Sequence, residues 1–153
     1  MKIKEGDLFP AFTLKDDNGE DFDLNTLIGE KNIVLYFYPK DETLGCTRQA
    51  CSFRNSYHDF LELDCTVIGI SNDSFKSHNS FKNNHQLQFK LLSDNKGMIR
   101  KKIGIPNDVF GLIPGRCTFV INKKGVIIKI IRSSINMQKH INEALKVLNV
   151  VMS

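Results

Sequence analysis

An α/β three-layer sandwich, with helices covering both faces of a mixed sheet, is the fold this chain predicts. Three features point to it. Residues 32–37 (Asn-Ile-Val-Leu-Tyr-Phe) form a nearly continuous apolar run, as a central strand buried on both faces requires. Farther on, Phe53, Tyr57, Phe60 and Leu61 recur at three- and four-residue spacing, the pattern of a helix packed by one face. A second apolar run at 65–70 follows, so strand, helix and strand alternate at short range.

The remaining elements fit the same plan. Residues 12–14 and 21–24 flank Asp16-Asp17-Asn18-Gly19, a strong hairpin signal because Asn-Gly adopts tight-turn backbone angles easily. Residues 24–28 suit a short helical turn. Helix signal resumes at Leu44 and runs to about Leu63. After the strand at 65–70, Asn72 or Asp73 is placed to cap a helix through about Asn84. A short strand at 90–92 and a short helix at 98–102 come next. Residues 103–115 carry Pro106, Gly111, Pro114 and Gly115, and read as a loop. Residues 118–121 and 126–131 flank Asn122-Lys123-Lys124-Gly125, a second hairpin. A final amphipathic helix over 136–150 places Ile141, Leu145 and Leu148 on one face. A thioredoxin-like topology has this order of elements, here in a single domain over residues 1–153.

Composition narrows the functional classes. Hydrophobic residues at 41% and charged residues at 25% fit a folded, water-exposed domain and argue against disorder. The net charge of +4 is spread over single lysines and pairs such as Lys101-Lys102, so no nucleic-acid partner is expected. No apolar run is long enough to cross a bilayer, so no membrane partner is expected either. Residues 1–7 lack an apolar signal core, which leads to the expectation of a cytoplasmic protein. Four cysteines, Cys46, Cys51, Cys65 and Cys117, then read as reduced thiols, with any disulfide transient and catalytic.

Chemistry is expected where the strand at 32–37 turns at Pro39 and delivers Cys46 at the start of a helix. Free backbone N–H groups at a helix start favour thiolate over thiol. Arg48 is close in sequence, and a hydroxyl at Thr43 could hydrogen-bond the sulfur. Buried, inert cysteines are common, but a turn-to-helix junction is an unusual place for one. Cys51 lies five residues on. In an intact helix that spacing rotates two residues by about 140° and separates their Cα atoms by roughly 8.5 Å, beyond the limit of about 7 Å for a disulfide. Joining them requires the first turns to unwind. Spacing alone leaves Cys51 evenly balanced between that role and a plain core position. A zinc site is a poor fit, since His58, His78, His85 and His140 are isolated and read as surface or hydrogen-bonded residues. No histidine is marked in sequence as a hydrolase partner for Cys46.

Several motifs together resemble a known family. Pro39-x-x-x-Thr43-x-x-Cys46 resembles the active-site signature of peroxiredoxins. Gly45-Cys46-Thr47-x-x-Ala50-Cys51 is more specific and resembles the peroxiredoxin Q branch, also called bacterioferritin comigratory protein. Gly6-Asp7-x-x-Pro10-x-Phe12-x-Leu14 matches the family's opening. Gly115-Arg116-Cys117-Thr118-Phe119-Val120-Ile121 resembles its arginine-bearing strand, after a loop like that of cyanobacterial and plastid members. The likeness covers nearly the whole chain.

The resemblance implies a thiol peroxidase that reduces hydrogen peroxide and alkyl hydroperoxides. Cys46 would be the peroxidatic cysteine, oxidised to a sulfenic acid. Cys51 would resolve it as an intramolecular disulfide, which a thioredoxin-like protein reduces. Thr43 would hold the thiolate and orient the peroxide, Pro39 would shield the site from water, and Arg116 would stabilise negative charge. The resemblance implies no metal, haem or flavin, and a monomer. Two departures stand out: Gln49 occupies a position where the family usually has glutamate, and Cys117 one that is usually apolar. A dithiol carrier is the competing enzyme class, but such proteins usually carry Cys-x-x-Cys, which is missing here. A redox sensor using the same helix unwinding is the non-enzymatic alternative.

Overall fold

The computed structural model describes residues 1–152. Among them, strands β1 (Thr13–Asp16), β2 (Asp21–Asp23), β3 (Asn32–Phe37), β4 (Cys65–Ser71), β5 (Lys90–Ser93), β6 (Cys117–Ile121) and β7 (Ile127–Ile131) form one seven-stranded sheet, ordered β2-β1-β5-β4-β3-β6-β7. The helices are α1 (Leu44–Asn55), α2 (Tyr57–Glu62), α3 (Phe75–His85), α4 (Met98–Ile103) and α5 (Met137–Met152). β3, β4 and β5 are parallel neighbours, since the helices between them carry the chain back to the same edge. β6 and β7 continue from β3 as antiparallel strands, and the β1–β2 hairpin joins antiparallel at β5. This is the thioredoxin-like sandwich the sequence predicts.

β3 explains the two-layered core. All six of its residues are buried, and the period-two alternation of a strand divides them between faces. Val34 and Tyr36 join Cys46, Ala50 and Phe53 of α1 and Ile141, Ala144 and Leu148 of α5. Ile33, Leu35 and Phe37 join Phe9, Phe119 and Ile103 on the opposite face. The reactive-thiol candidate is thus fixed on the sheet through the apolar side of its own helix.

Both hairpins are built the same way. Asp16 Oδ1 accepts from the backbone N–H groups of Asn18 and Glu20. Asn122 Oδ1 accepts from those of Lys124 and Val126. One side-chain oxygen thereby replaces the backbone partners that each turn lacks.

Three local expectations are corrected. The helix expected over 44–63 breaks at Ser56, whose backbone (φ −103°, ψ 6°) leaves the helical region. Asn55 and Ser56 are weak helix formers, and the Ser56 N–H is shared between the carbonyls of Ser52 and Phe53. The break keeps Phe53 and Phe60 in the core but turns Leu61 outward, where it is 50% exposed. Finally, Ser74, not Asn72 or Asp73, caps α3 by accepting from the Ser77 N–H. Asp73 is engaged elsewhere, as described below. No helix of the described residues is long and apolar enough to cross a membrane.

Candidate active site

The segment joining β3 to α1 is held from two sides. Tyr38 donates its hydroxyl to Asp41 Oδ1 at 2.5 Å. Burial pushes the Tyr38 phenol well above its ordinary range, so it stays protonated and able to donate. Asp41 Oδ2 accepts from Ser77 Oγ at 2.8 Å and lies 2.7 Å from His78 Nδ1. His78 Nε2 lies 3.0 Å from the Leu92 carbonyl. Asp73 Oδ2 accepts from the Asp41 N–H and from Ser71 Oγ. Tyr38 just after β3, Asp73 just after β4, and Ser77 and His78 of α3 therefore converge on Asp41, with β5 meeting His78 from behind. Asp41, Asp73 and His78 bring metal-ligand atoms within 4.8 Å of one another. Each residue is already committed to hydrogen bonds there, so the cluster reads as an anchor for the loop. Next to it, Glu42 takes a left-handed backbone (φ 61°). Hydrogen bonds from Asn84 and His85 hold its carboxylate and lower its pKa.

Beyond this anchor the chain enters α1. Thr43 is the N-cap residue, yet its side chain makes no capping bond. Its hydroxyl donates instead to the Lys40 carbonyl at 2.8 Å. The first N–H groups of α1 thus lack the usual side-chain acceptor. Cys46 sits on this first turn and is 1% exposed. Cys51 is half-buried, and both are free thiols.

Arg116 reaches this turn from the segment leading into β6, the strand beside β3. It stands just before β6 and is buried, and its Nη1 donates to Gln49 Oε1 at 2.7 Å. Its Nη2 crosses Gly45 so closely that a Cβ there would lie 2.8 Å away. Glycine at 45 is what admits the guanidinium to the residue preceding Cys46. The approach is braced behind. Asp108 accepts from the Arg116 N–H at 3.2 Å and from Arg132 Nη2 at 3.0 Å. Arg100, buried and stacked over Phe37, donates to the Gly115 carbonyl at 2.5 Å and to the Tyr38 carbonyl at 3.4 Å. One guanidinium thereby links the strand leading to the thiol loop with the strand leading to Arg116. Gly115 leaves no alternative, because a Cβ there would meet the Pro106 carbonyl oxygen at 2.0 Å.

The other two cysteines are walled off. Cys65 and Cys117 are buried in opposite halves of the core. Burial is the leading cause in both cases, pushing the Cys117 thiol up to about 12 and the Cys65 thiol higher still. Because the thiolate is the reactive form, native protein treated briefly with N-ethylmaleimide at pH 8 is expected to leave Cys65 and Cys117 unlabelled. Peptide mapping that found either one alkylated at the rate of denatured protein would contradict this.

The structure brings Cys46, Gln49, Gly45 and Arg116 together, with Pro39 half-buried and Thr43 exposed at the edge. Two expectations fail. Arg48 is exposed, whereas the thiol is buried. The Thr43 hydroxyl proton goes to Lys40 and not to the sulfur. His78 and Arg100 carry supporting roles that their sequence context does not mark. A lone histidine and a lone arginine gain meaning only when four separate elements are folded against them. His140 is satisfied too, between Thr118 Oγ1 and the Ser133 carbonyl, and burial lowers its pKa.

A thioredoxin-like sheet presenting a thiol on the first turn of a helix beside a buried arginine defines a thiol oxidoreductase. Comparison with known proteins specifies which kind. Residues 6–130 match the AhpC/TSA family. Chloroplastic peroxiredoxin Q of Suaeda salsa is 47% identical over 147 residues, covering 96% of this chain and 68% of that protein. Chloroplastic peroxiredoxin Q of Arabidopsis thaliana is 48% identical, with the same coverage. Peroxidoxin BcpB of Mycobacterium tuberculosis superposes with a TM-score of 0.90 at 32% identity, covering 99% of both chains. A PrxQ variant of Xylella fastidiosa gives 0.88 at 27% identity, over 99% of this chain and 98% of that one. The chain belongs to the AhpC/TSA family, within its peroxiredoxin Q group. It is a thiol peroxidase, an oxidoreductase acting on peroxides. The plant relatives are named chloroplastic, which overturns the cytoplasmic location expected from the sequence. That expectation relied on finding no apolar N-terminal core. Plastid transit segments are Ser- and Arg-rich, so a test for apolar signals does not bear on them.

Proposed function

We propose that Cys46 is the peroxidatic thiol, that Cys51 resolves it within the same chain, and that Arg116, Thr43 and Pro39 serve the first step. The observation that carries this reading is the close crossing of Arg116 over Gly45, beside an uncapped helix start that holds Cys46. The Cys46 thiolate attacks one peroxide oxygen. An S–O bond forms, the O–O bond breaks, and the departing oxygen takes a proton to leave as water or alcohol. Negative charge moves from sulfur to that oxygen. Arg116, always charged and rich in donors, and the free N–H groups of α1 are placed to meet it. Thr43 has already committed its proton, so its oxygen acts as an acceptor and orients the peroxide O–H. Pro39 offers no N–H and covers the thiol on the loop side.

The sulfenic acid is then resolved. The Cys51 thiolate attacks the Cys46 sulfur, the S–S bond forms, the S–O bond breaks, and hydroxide departs to become water. Both thiols lie on one helix, so no second chain is required, and we propose that the protein acts as a monomer. A dithiol protein of the thioredoxin type reduces the disulfide, and both hydrogen peroxide and alkyl hydroperoxides serve as oxidants. The test is NADPH oxidation in the presence of thioredoxin, thioredoxin reductase and either hydrogen peroxide or tert-butyl hydroperoxide. Turnover is expected with each peroxide and only when thioredoxin is present. Turnover that proceeds equally without thioredoxin would overturn the proposed recycling.

A further inference from the structure

Cys46 and Cys51 meet only if the first turns of α1 open, so the ties on those turns govern how fast they meet. The two halves of α1 are tied very differently. In the C-terminal half, Phe53 stacks on Tyr36 with ring centroids 4.6 Å apart. Arg54 Nη1 donates to the His85 carbonyl at 2.9 Å, and the Arg54 carbonyl accepts from the Gln88 amide at 3.3 Å. In the N-terminal half, Cys46 and Ala50 pack in the core, but Leu44 and Arg48 are exposed and the side-chain cap is unmade. Among the described residues, one side-chain hydrogen bond ties residues 44–51 to another element: Arg116 Nη1 to Gln49 Oε1.

Gln49 is itself only half satisfied. Its side chain is fully buried, and its Nε2 has no partner, one of three such side-chain atoms among the described residues, with Tyr36 Oη and Ser93 Oγ. A buried donor without an acceptor destabilises the state that buries it. Opening the helix start returns that donor to water. The same side chain thus holds α1 closed through its oxygen and favours opening through its nitrogen.

We propose that Gln49 is a positioning residue for the second half of the reaction, a single-bond latch between α1 and Arg116 that is light enough to release when the disulfide forms. The proposal rests on the Cys46 and Cys51 roles given above. It gives the amide a physical role here: Gln49 offers Arg116 one neutral acceptor, whereas a carboxylate would offer two ionised ones and a bidentate ion pair, a stronger and more directional hold. Such a latch would hold the sulfenic acid away from Cys51 and leave it open to a second peroxide, which carries it to sulfinic acid.

The test separates the two chemical steps by acid-quenched rapid mixing and mass spectrometry, following Cys46 sulfenic acid and the Cys46–Cys51 disulfide. In Gln49→Glu, disulfide formation is expected to slow on the order of tenfold, with sulfinic acid accumulating in excess peroxide. In Gln49→Met, which removes both the bond and the unpaired donor, disulfide formation is expected to be as fast as in the parent or faster. Its first step slows, because Arg116 has lost its acceptor. Amide hydrogen exchange of the reduced proteins provides a readout independent of activity. Residues 46–50 should gain protection in Gln49→Glu and lose it in Gln49→Met, with 52–55 unchanged. A Gln49→Glu protein that closes its disulfide at the parental rate would overturn the latch, as would a Gln49→Met protein that closes it more slowly. A parent that never forms the Cys46–Cys51 disulfide would overturn the cysteine roles, and the latch with them.

Discussion

Cys46→Ser protein is expected to turn over no peroxide, whereas Cys51→Ser protein should consume about one equivalent per chain in a single fast step and fail to recycle, any further peroxide being spent only in the slower oxidation of the sulfenic acid to sulfinic acid. The difference follows from where electrons go. The first step uses the Cys46 lone pair alone. A serine hydroxyl at 46 is not ionised at neutral pH and is a poor nucleophile towards an O–O bond. In Cys51→Ser that first step is intact: the helix start, Arg116 and Gln49 all keep their places. The sulfenic acid has no partner with which to condense, because Cys65 and Cys117 are buried in the core. It should therefore persist long enough to be trapped by dimedone at Cys46. Single-turnover peroxide consumption, read together with dimedone adduct mass, checks both variants. Equal loss of the first oxidation in the two would contradict the assigned order of attack.

Replacing Arg116 is expected to have the next greatest consequence. Arg116→Met should slow sulfenic acid formation about 100-fold or more, as losing a donor aimed at developing charge does elsewhere, or about 2.7 kcal/mol of barrier. Arg116→Lys restores a charge but not the fork. One ammonium cannot hold Gln49 and face the thiol with the same geometry, so partial recovery is expected. A steric counterpart leaves the arginine in place. Gly45→Ala puts a methyl 2.8 Å from Nη2, and any shift of the guanidinium away from it pulls on the Nη1–Gln49 bond, while Asp108 fixes the Arg116 backbone N–H. Gly45→Ala should thus slow the same step as Arg116→Met while leaving the disulfide step close to the parental rate. Stopped-flow measurement of the two steps decides it. A Gly45→Ala protein as fast as the parent in the first step would show that the close crossing is not what places the charge.

Much of this site could be read from residues in a row. β3 declares itself through six consecutive buried positions, and the Pro39–Cys51 stretch carries its motif in one piece. Gly45 and Arg116 are harder. They lie in separate motifs, and only the antiparallel pairing of β6 with β3, Cys117 opposite Phe37, brings Arg116 to the start of α1. Thr43 shows the limit of motif reasoning. The residue type is right, but its proton is spent on Lys40 three residues back, a local bond that no spacing rule distinguishes from a contact to sulfur. Ser56 breaks the long helix because its backbone can satisfy a turn, and hydrophobic periodicity does not register that. His78 and Arg100 depend on tertiary assembly from start to finish. Their partners come from the thiol loop, β5 and the segment before β6.

In the proposed cycle the first turns of α1 serve two geometries, closed around Cys46 during attack and open when Cys51 arrives. Mass spectrometric mapping of non-reduced peptides, after the reduced protein meets one equivalent of hydrogen peroxide, tests this most directly. A single cross-link joining Cys46 to Cys51 within one chain is the expected product. A cross-link from Cys46 to Cys65, to Cys117 or to a second chain, with Cys51 left free, would contradict it.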